Sequence, residues 1–155
     1  MPEPIRPNEY QGIQLRTLLC VEDNPASLKL IERIVVRRPG LRLLSAINGI
    51  SGIEMALSSR PAVILMDINL PDISGFKALM VLRANPATAH IPVIALSANT
   101  LALNVESGLE AGFFRYLTKP IVLGDFTNAL DSALALADKM IAKANSAAAA
   151  APYVR

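Results

Sequence analysis

Short apolar runs alternate along the chain with segments in which apolar residues recur every three or four positions. The apolar runs lie at 17–21, 41–46, 62–66, 92–96 and 114–117. Runs of this length are typical of strands buried on both faces of a parallel sheet. The pattern therefore predicts an α/β fold in which helices cover both faces of a five-stranded sheet.

Helical spacing fills the segments between these predicted strands. The first predicted helix has Asn24 as its N-cap and Pro25 at its first position, and it runs to about residue 38. Further helices are predicted at 51–59, 76–84, 101–111 and 123–143. Because crossovers between parallel strands are right-handed, the alternation predicts a doubly wound sheet.

Composition limits the classes of protein and of partner. The chain has 155 residues, of which 52% are hydrophobic, and this suits a single globular domain. We assign residues 1–14 to a flexible leader or linker remnant, 15–143 to the domain and 144–155 to an Ala-rich tail. Fifteen basic and 13 acidic residues leave a net charge of +2, which is too small to indicate nucleic acid or an anionic membrane as partner. Without a signal-peptide pattern or a membrane-spanning apolar run, we expect a cytoplasmic protein.

Polar residues that could take part in chemistry follow four of the predicted strands. Glu22 and Asp23 follow the first strand, Asp67 the third, Ser97 the fourth and Lys119 the fifth. Ligands of open α/β sheets bind at the carboxyl ends of the strands, so these side chains are expected to meet at one edge. Each alone would suit a helix cap or a surface group. Their convergence instead indicates one chemical site.

Three carboxylates at one edge repel each other unless a cation neutralises them. Mg²⁺ prefers oxygen ligands in octahedral geometry and would suit this set. Asp67 is then either a further metal ligand or a nucleophile, because carboxylates can form acyl phosphates. The Ser97 hydroxyl and the Lys119 ammonium are suited to holding phosphoryl oxygens.

The motifs that carry these residues resemble those of the receiver domains of response regulators and hybrid histidine kinases. They are TLLCVEDNP, VILMDINLPDISG, VIALSAN and GFFRYLTKP, in that order, and the resemblance covers about residues 15–140. It implies a flavodoxin-like fold with strand order 2-1-3-4-5. Two positions vary within the family: the acidic pair is Glu-Asp, and Ser97 stands where threonine is commoner.

The resemblance also implies a role for each site residue. Asp67 would be the phosphoacceptor, and Ser97 and Lys119 would act with it. Mg²⁺, with Mn²⁺ as a substitute, would lie among Glu22, Asp23, Asp67 and the backbone carbonyl of Asn69. Ser97 and Tyr116 would report phosphorylation to a protein-binding surface, and the bond before Pro120 would be cis.

The function expected from this resemblance is signalling in a two-component phosphorelay. A sensor histidine kinase or histidine phosphotransfer protein would donate the phosphoryl group, and a downstream protein would read the result. The expected chain is a monomer or weak dimer, not an enzyme, with no nucleic-acid or membrane partner. The alternative is a magnesium-dependent phosphohydrolase with Asp67 as nucleophile, but such enzymes typically carry a second Asp two residues later, where this chain has Asn69. A stand-alone regulator and the receiver of a hybrid kinase both fit the sequence.

Overall fold

Five strands form one parallel sheet in the computed structural model, which describes residues 15–98 and 109–150. The strand order is β2-β1-β3-β4-β5, which confirms the predicted flavodoxin-like arrangement. The strands are β1 (Arg16–Val21), β2 (Leu41–Ala46), β3 (Val63–Asp67), β4 (Val93–Ser97) and β5 (Arg115–Thr118). Every residue of β3 and β4 is buried, as expected for the central strands of a covered sheet.

Four helices surround this sheet, in addition to the described helical residues 109–111. They are α1 (Pro25–Val35), α2 (Gly49–Ser59), α3 (Gly75–Ala84) and α4 (Leu123–Ala150). Side-chain oxygens of Asn24, Asn48 and Ser74 accept hydrogen bonds from the first turns of α1, α2 and α3, respectively, and so fix where each helix begins. Among the described helices, none is both long and apolar enough to cross a bilayer.

Two hydrophobic cores lie on opposite faces of the sheet. On one face α2 and α3 pack through residues such as Ala56 and Leu79. On the other, α1 and α4 pack through Ile31 and the fully buried stripe that starts at Phe126. Polar residues occupy the carboxyl edge of the sheet, which lies between these two layers of helices.

Three helix bounds differ by two residues or more from the sequence pattern. Helix α1 ends at Val35, three residues before the predicted end, and α2 begins at Gly49, two residues before its predicted start. Helix α4 continues past residue 143 to Ala150, through an alanine-rich segment with high helix propensity. Most of the helix predicted at 101–111 lies outside the described residues, of which 109–111 are helical.

Candidate functional site

The strand register brings the predicted acidic residues together. Val21 of β1 lies beside Met66 of β3. The next residues, Glu22 and Asp67, therefore lie at the same level, at the carboxyl ends of two adjacent strands. Glu22 and Asp67 are buried, and Asp23 is exposed. One carboxylate oxygen from each of the three lies within 4.8 Å of the others. The acids therefore meet at the carboxyl edge, as the positions of the strand ends indicate.

Lys119 joins two of these carboxylates. Its Nζ lies 2.8 Å from Glu22 Oε2 and 3.0 Å from Asp67 Oδ2. The lysine reaches this position because its backbone amide donates to the carbonyl of Ser97 at the end of β4, over 2.8 Å. The Lys119–Pro120 peptide bond that follows is cis. One cation thus bridges the buried acids of two other strands.

The protonation of Glu22 and Lys119 reflects this mixed environment. Burial raises the pKa of Glu22 above its usual value, and the charge of Asp67 adds to the rise, although Lys119 and the Asn24 amide oppose it. Burial acts to lower the pKa of Lys119, but its hydrogen bonds to Glu22 and Asp67 outweigh this effect and raise the pKa. Lys119 therefore keeps its positive charge at neutral pH.

The donor set suits a hard divalent cation. Glu22, Asp23 and Asp67 offer only oxygen ligands, and together they carry three negative charges against the single charge of Lys119. Mg²⁺ is held in proteins by one or two carboxylates together with waters and phosphate oxygens, so this cluster leaves it the open positions that it needs. The site chemistry fits Mg²⁺, and Mn²⁺ shares the preference for oxygen ligands.

The loop after Asp67 is folded tightly against β3. The amide of Asn69 donates to Asp67 Oδ1 over 3.0 Å, and the amide of Gly75 donates to the Ile68 carbonyl over 2.8 Å. Asn69 itself is exposed and lies two residues after Asp67. Gly75 allows the tight closure, because a Cβ there would lie 2.5 Å from the Asp67 carbonyl oxygen.

One loop residue with a clear structural role was missed by the sequence analysis. Both carboxylate oxygens of Asp72 accept backbone hydrogen bonds from the start of α2, at Gly49 and Ile50. Nothing in the local sequence shows this, because the partners lie 23 and 22 residues earlier in the chain. An acidic residue in a loop is usually only a solvated one.

Ser97 lies on β4 and Tyr116 on β5, the two strands on the other side of β3 from β1. Ser97 is buried at the end of β4. Tyr116 of β5 pairs with Ala95, which is two residues before Ser97 and therefore on the same face of β4. The half-buried tyrosine packs against the core formed with α2 and α3. The two residues thus share one face of the sheet, one strand apart.

A comparison with family models matches residues 18–131 to the response regulator receiver domain. Among characterised relatives, the polar-differentiation response regulator DivK of Brucella anthropi is 33% identical over 119 residues, covering 77% of this chain and 96% of the relative. The DivK protein of Brucella ovis is 31% identical over the same length.

Solved structures give the same result. The receiver domain of sensor histidine kinase PA1611 from Pseudomonas aeruginosa PAO1 is 34% identical, with a TM-score of 0.70, and the match covers 78% of this chain and 98% of that one. That structure has a magnesium ion coordinated in its active site cleft. A response regulator from Chloroflexus aurantiacus is 26% identical, with a TM-score of 0.73 over 79% of this chain and 99% of its own.

Proposed function

Because this chain belongs to the response regulator receiver domain family of two-component signalling proteins, we propose that Asp67 accepts a phosphoryl group from a phosphohistidine of a partner protein. The observation that carries the proposal is the position of this carboxylate. It ends the central strand β3, lies beside two further acids and contacts Lys119. A nucleophile and the charges that a phosphoryl group requires are therefore in one place.

In the proposed reaction an oxygen of Asp67 attacks the phosphorus atom in line with the bond to the donor histidine nitrogen. The new oxygen–phosphorus bond forms an acyl phosphate, and the electron pair of the broken phosphorus–nitrogen bond stays with the histidine. The Lys119 ammonium, already within 3.0 Å of Asp67, is placed to neutralise negative charge on the phosphoryl oxygens. The Ser97 hydroxyl, on the adjacent strand, is the second group assigned to those oxygens.

Mg²⁺ is the cofactor that we assign to Glu22, Asp23, Asp67 and the Asn69 carbonyl, with Mn²⁺ as a substitute. When bound, it would supply positive charge to the phosphoryl group and offset the repulsion between the acids. Support comes from the clustering of the three carboxylates within 4.8 Å. The magnesium ion in the related Pseudomonas aeruginosa receiver supports the same assignment.

The proposed output is a change in a protein-binding surface. A phosphoryl group adds nearly two negative charges and strong acceptor oxygens, as phosphorylation does elsewhere. The Ser97 hydroxyl would move toward it, and Tyr116, one strand away on the same face, would turn inward. The donor would be a sensor histidine kinase or a histidine phosphotransfer protein, and the reader a downstream protein. A location in the cytoplasm stays a prediction from the sequence.

The test is phosphorylation by a small donor. Wild type incubated with acetyl phosphate and Mg²⁺ should gain one phosphoryl group by intact mass, and Asp67→Asn should gain none. Asp131→Asn is the matched control, because Asp131 is an exposed acid on α4 that pairs with Arg38. Labelling of Asp67→Asn at the wild-type level, or full labelling of wild type without a divalent metal, would contradict the proposal.

A further inference from the structure

The six residues between Ile68 and Gly75 form a loop that begins at the acceptor strand. Its base is closed by the hydrogen bond from the Gly75 amide to the Ile68 carbonyl. Near the base, the Asn69 amide bonds to Asp67 Oδ1. These contacts hold the two ends of the loop, and neither of them involves the residues in its middle.

Asp72 holds the middle of the loop to a different part of the molecule. Its Oδ1 accepts from the Gly49 amide over 2.7 Å and its Oδ2 from the Ile50 amide over 2.8 Å. Partial desolvation acts to raise the pKa of Asp72, but the bonds from Ile50 and Gly49 outweigh it and lower the pKa below its usual value. The side chain is exposed, yet both of its oxygens are used.

Helix α2 has a second cap, which comes from its own sequence. The side chain of Asn48 accepts from the Ser51 amide over 2.8 Å and from the Ser51 hydroxyl over 2.7 Å. Asn48 caps this helix end through hydrogen bonds with Ser51, whereas Asp72 caps it from the loop. The two residues therefore offer a way to separate helix capping from loop holding.

Close packing joins the loop to the helix at the same point. A Cβ placed on Gly49 would lie 2.4 Å from Cγ1 of Ile73 and 3.3 Å from Oδ1 of Asp72. The backbone of α2 and the loop are thus in direct contact, with no room between them. A displacement of one requires a displacement of the other.

We propose that Asp72 is a positioning residue for the metal site. By holding the loop against α2, it keeps the Asn69 carbonyl, three residues earlier, beside the carboxylates of Glu22, Asp23 and Asp67. This inference rests on the proposed function, because it assigns that carbonyl to the cation. A residue that orients a ligand in advance reduces the ordering that binding must otherwise impose.

The experiment measures Mg²⁺ affinity by isothermal titration calorimetry at fixed ionic strength. Loss of a residue that orients a metal ligand typically weakens binding at least tenfold, so Asp72→Ala should raise the Mg²⁺ dissociation constant by roughly tenfold. Asp72→Asn keeps one acceptor oxygen and should lie between wild type and Asp72→Ala. Asn48→Ala, the matched control, removes a cap from the same helix and should bind Mg²⁺ as wild type does. Urea unfolding of all four proteins shows whether the variants lose comparable stability.

Several outcomes would overturn the positioning role. Equal weakening in Asn48→Ala and Asp72→Ala would show that only the helix cap matters. Equal weakening in Asp72→Asn and Asp72→Ala would assign the effect to the lost charge. If Asp72→Ala does not fold, the test rests on Asp72→Asn. The role would then be overturned if Asp72→Asn weakened Mg²⁺ binding no more than Asn48→Ala does. Wild type that binds no Mg²⁺ would overturn the proposed metal site and this role together, whereas normal binding by Asp72→Ala would overturn this role alone.

Discussion

Lys119 contacts two buried carboxylates at once, and its positive charge offsets part of their negative charge. A buried acid without a partner is costly, and here Glu22 and Asp67 share one ammonium at 2.8 and 3.0 Å. The sequence predicted which residues converge, because the ends of parallel strands meet at one edge. It could not show that Lys119 bridges Glu22 and Asp67 rather than facing solvent, since that depends on the path of the chain around Pro120. The Asp72 contacts were also out of reach, because no local pattern links Asp72 to α2.

The proposed metal ligands should contribute unequally to Mg²⁺ affinity. Asp23→Ala should weaken Mg²⁺ binding more than Glu22→Ala, by roughly tenfold or more for the Asp23 variant. The reason is that Glu22 already uses one oxygen for the Asn24 amide and the other for Lys119, whereas Asp23 is exposed beside them. Glu22 is therefore expected to act through water and Asp23 directly.

Calorimetric Mg²⁺ titration of the two variants at constant ionic strength checks this ranking, because screening by salt affects both alike. Equal losses in the two variants would contradict it. No loss in either would contradict the metal site itself.

At the scale of secondary-structure elements, the pattern of apolar positions predicted all five strands to within one residue at each end. The start of α1 followed from its capping residue Asn24. The ends were harder to place, because α1 ends at Val35 with no glycine or proline until Pro39, and α4 continues through alanines that the pattern treats as a tail. Helix α2 begins earlier than predicted, at Gly49, where Asn48 caps it and the loop residue Asp72 accepts from its first amides.

The junction between β3 and α3 should tolerate no side chain at Gly75. A Cβ there would lie 2.5 Å from the Asp67 carbonyl oxygen and 2.9 Å from the Ile68 Cα, both backbone atoms that cannot rotate away. Gly75→Ala should lower the free energy of unfolding by about 1–3 kcal/mol, as overpacking does elsewhere. It should also reduce phosphorylation, because the shifted atoms belong to Asp67, the proposed phosphoacceptor.

Gly124→Ala is the matched control, since a Cβ at Gly124 would meet nothing within 4 Å in the first turn of α4. Alanine in a helix is preferred over glycine by about 0.5–1 kcal/mol, so this variant should be as stable as wild type or more stable. Urea unfolding measures both. If Gly75→Ala were as stable as Gly124→Ala, the close approach at the junction would not constrain the chain.

For the whole molecule, the alternation of strands and helices predicted an α/β sheet with two covered faces. The order 2-1-3-4-5 came from the family resemblance, because periodicity gives the number of strands but not their neighbours. The register then decides the site: β1 lies beside β3, so the acids of both strands come together. The protein-binding surface expected from the resemblance would include Leu101, Val105 and Leu109. Leu101 and Val105 lie outside the described residues, whereas Leu109 is described and exposed.

Transmission across the sheet should depend on the Ser97 hydroxyl. Beryllium fluoride mimics the acyl phosphate, and its addition to wild type should shift the amide resonances of Tyr116 and Leu109. Ser97→Ala should bind the mimic but show clearly smaller shifts at both residues, because a ligand changes an equilibrium only through its differential interaction with the two states. Thr118→Ala is the control, since it removes an exposed hydroxyl from the strand residue that pairs with Ser97. A full wild-type response in Ser97→Ala would contradict this route.

The ion pair between Arg16 and Asp138 has a consequence for how the domain can be joined to other proteins. Arg16 opens β1 and Asp138 lies near the middle of α4, and their side chains meet at 2.8 Å. The first strand therefore starts where the last helix returns, at the edge of the sheet opposite Asp67. Because α4 continues past Asp138 away from the carboxyl edge, additional polypeptide before β1 or after α4 would not pass over the acidic site. The same fold can thus be joined to further polypeptide at either end or stand by itself, with Asp67 equally accessible in both settings.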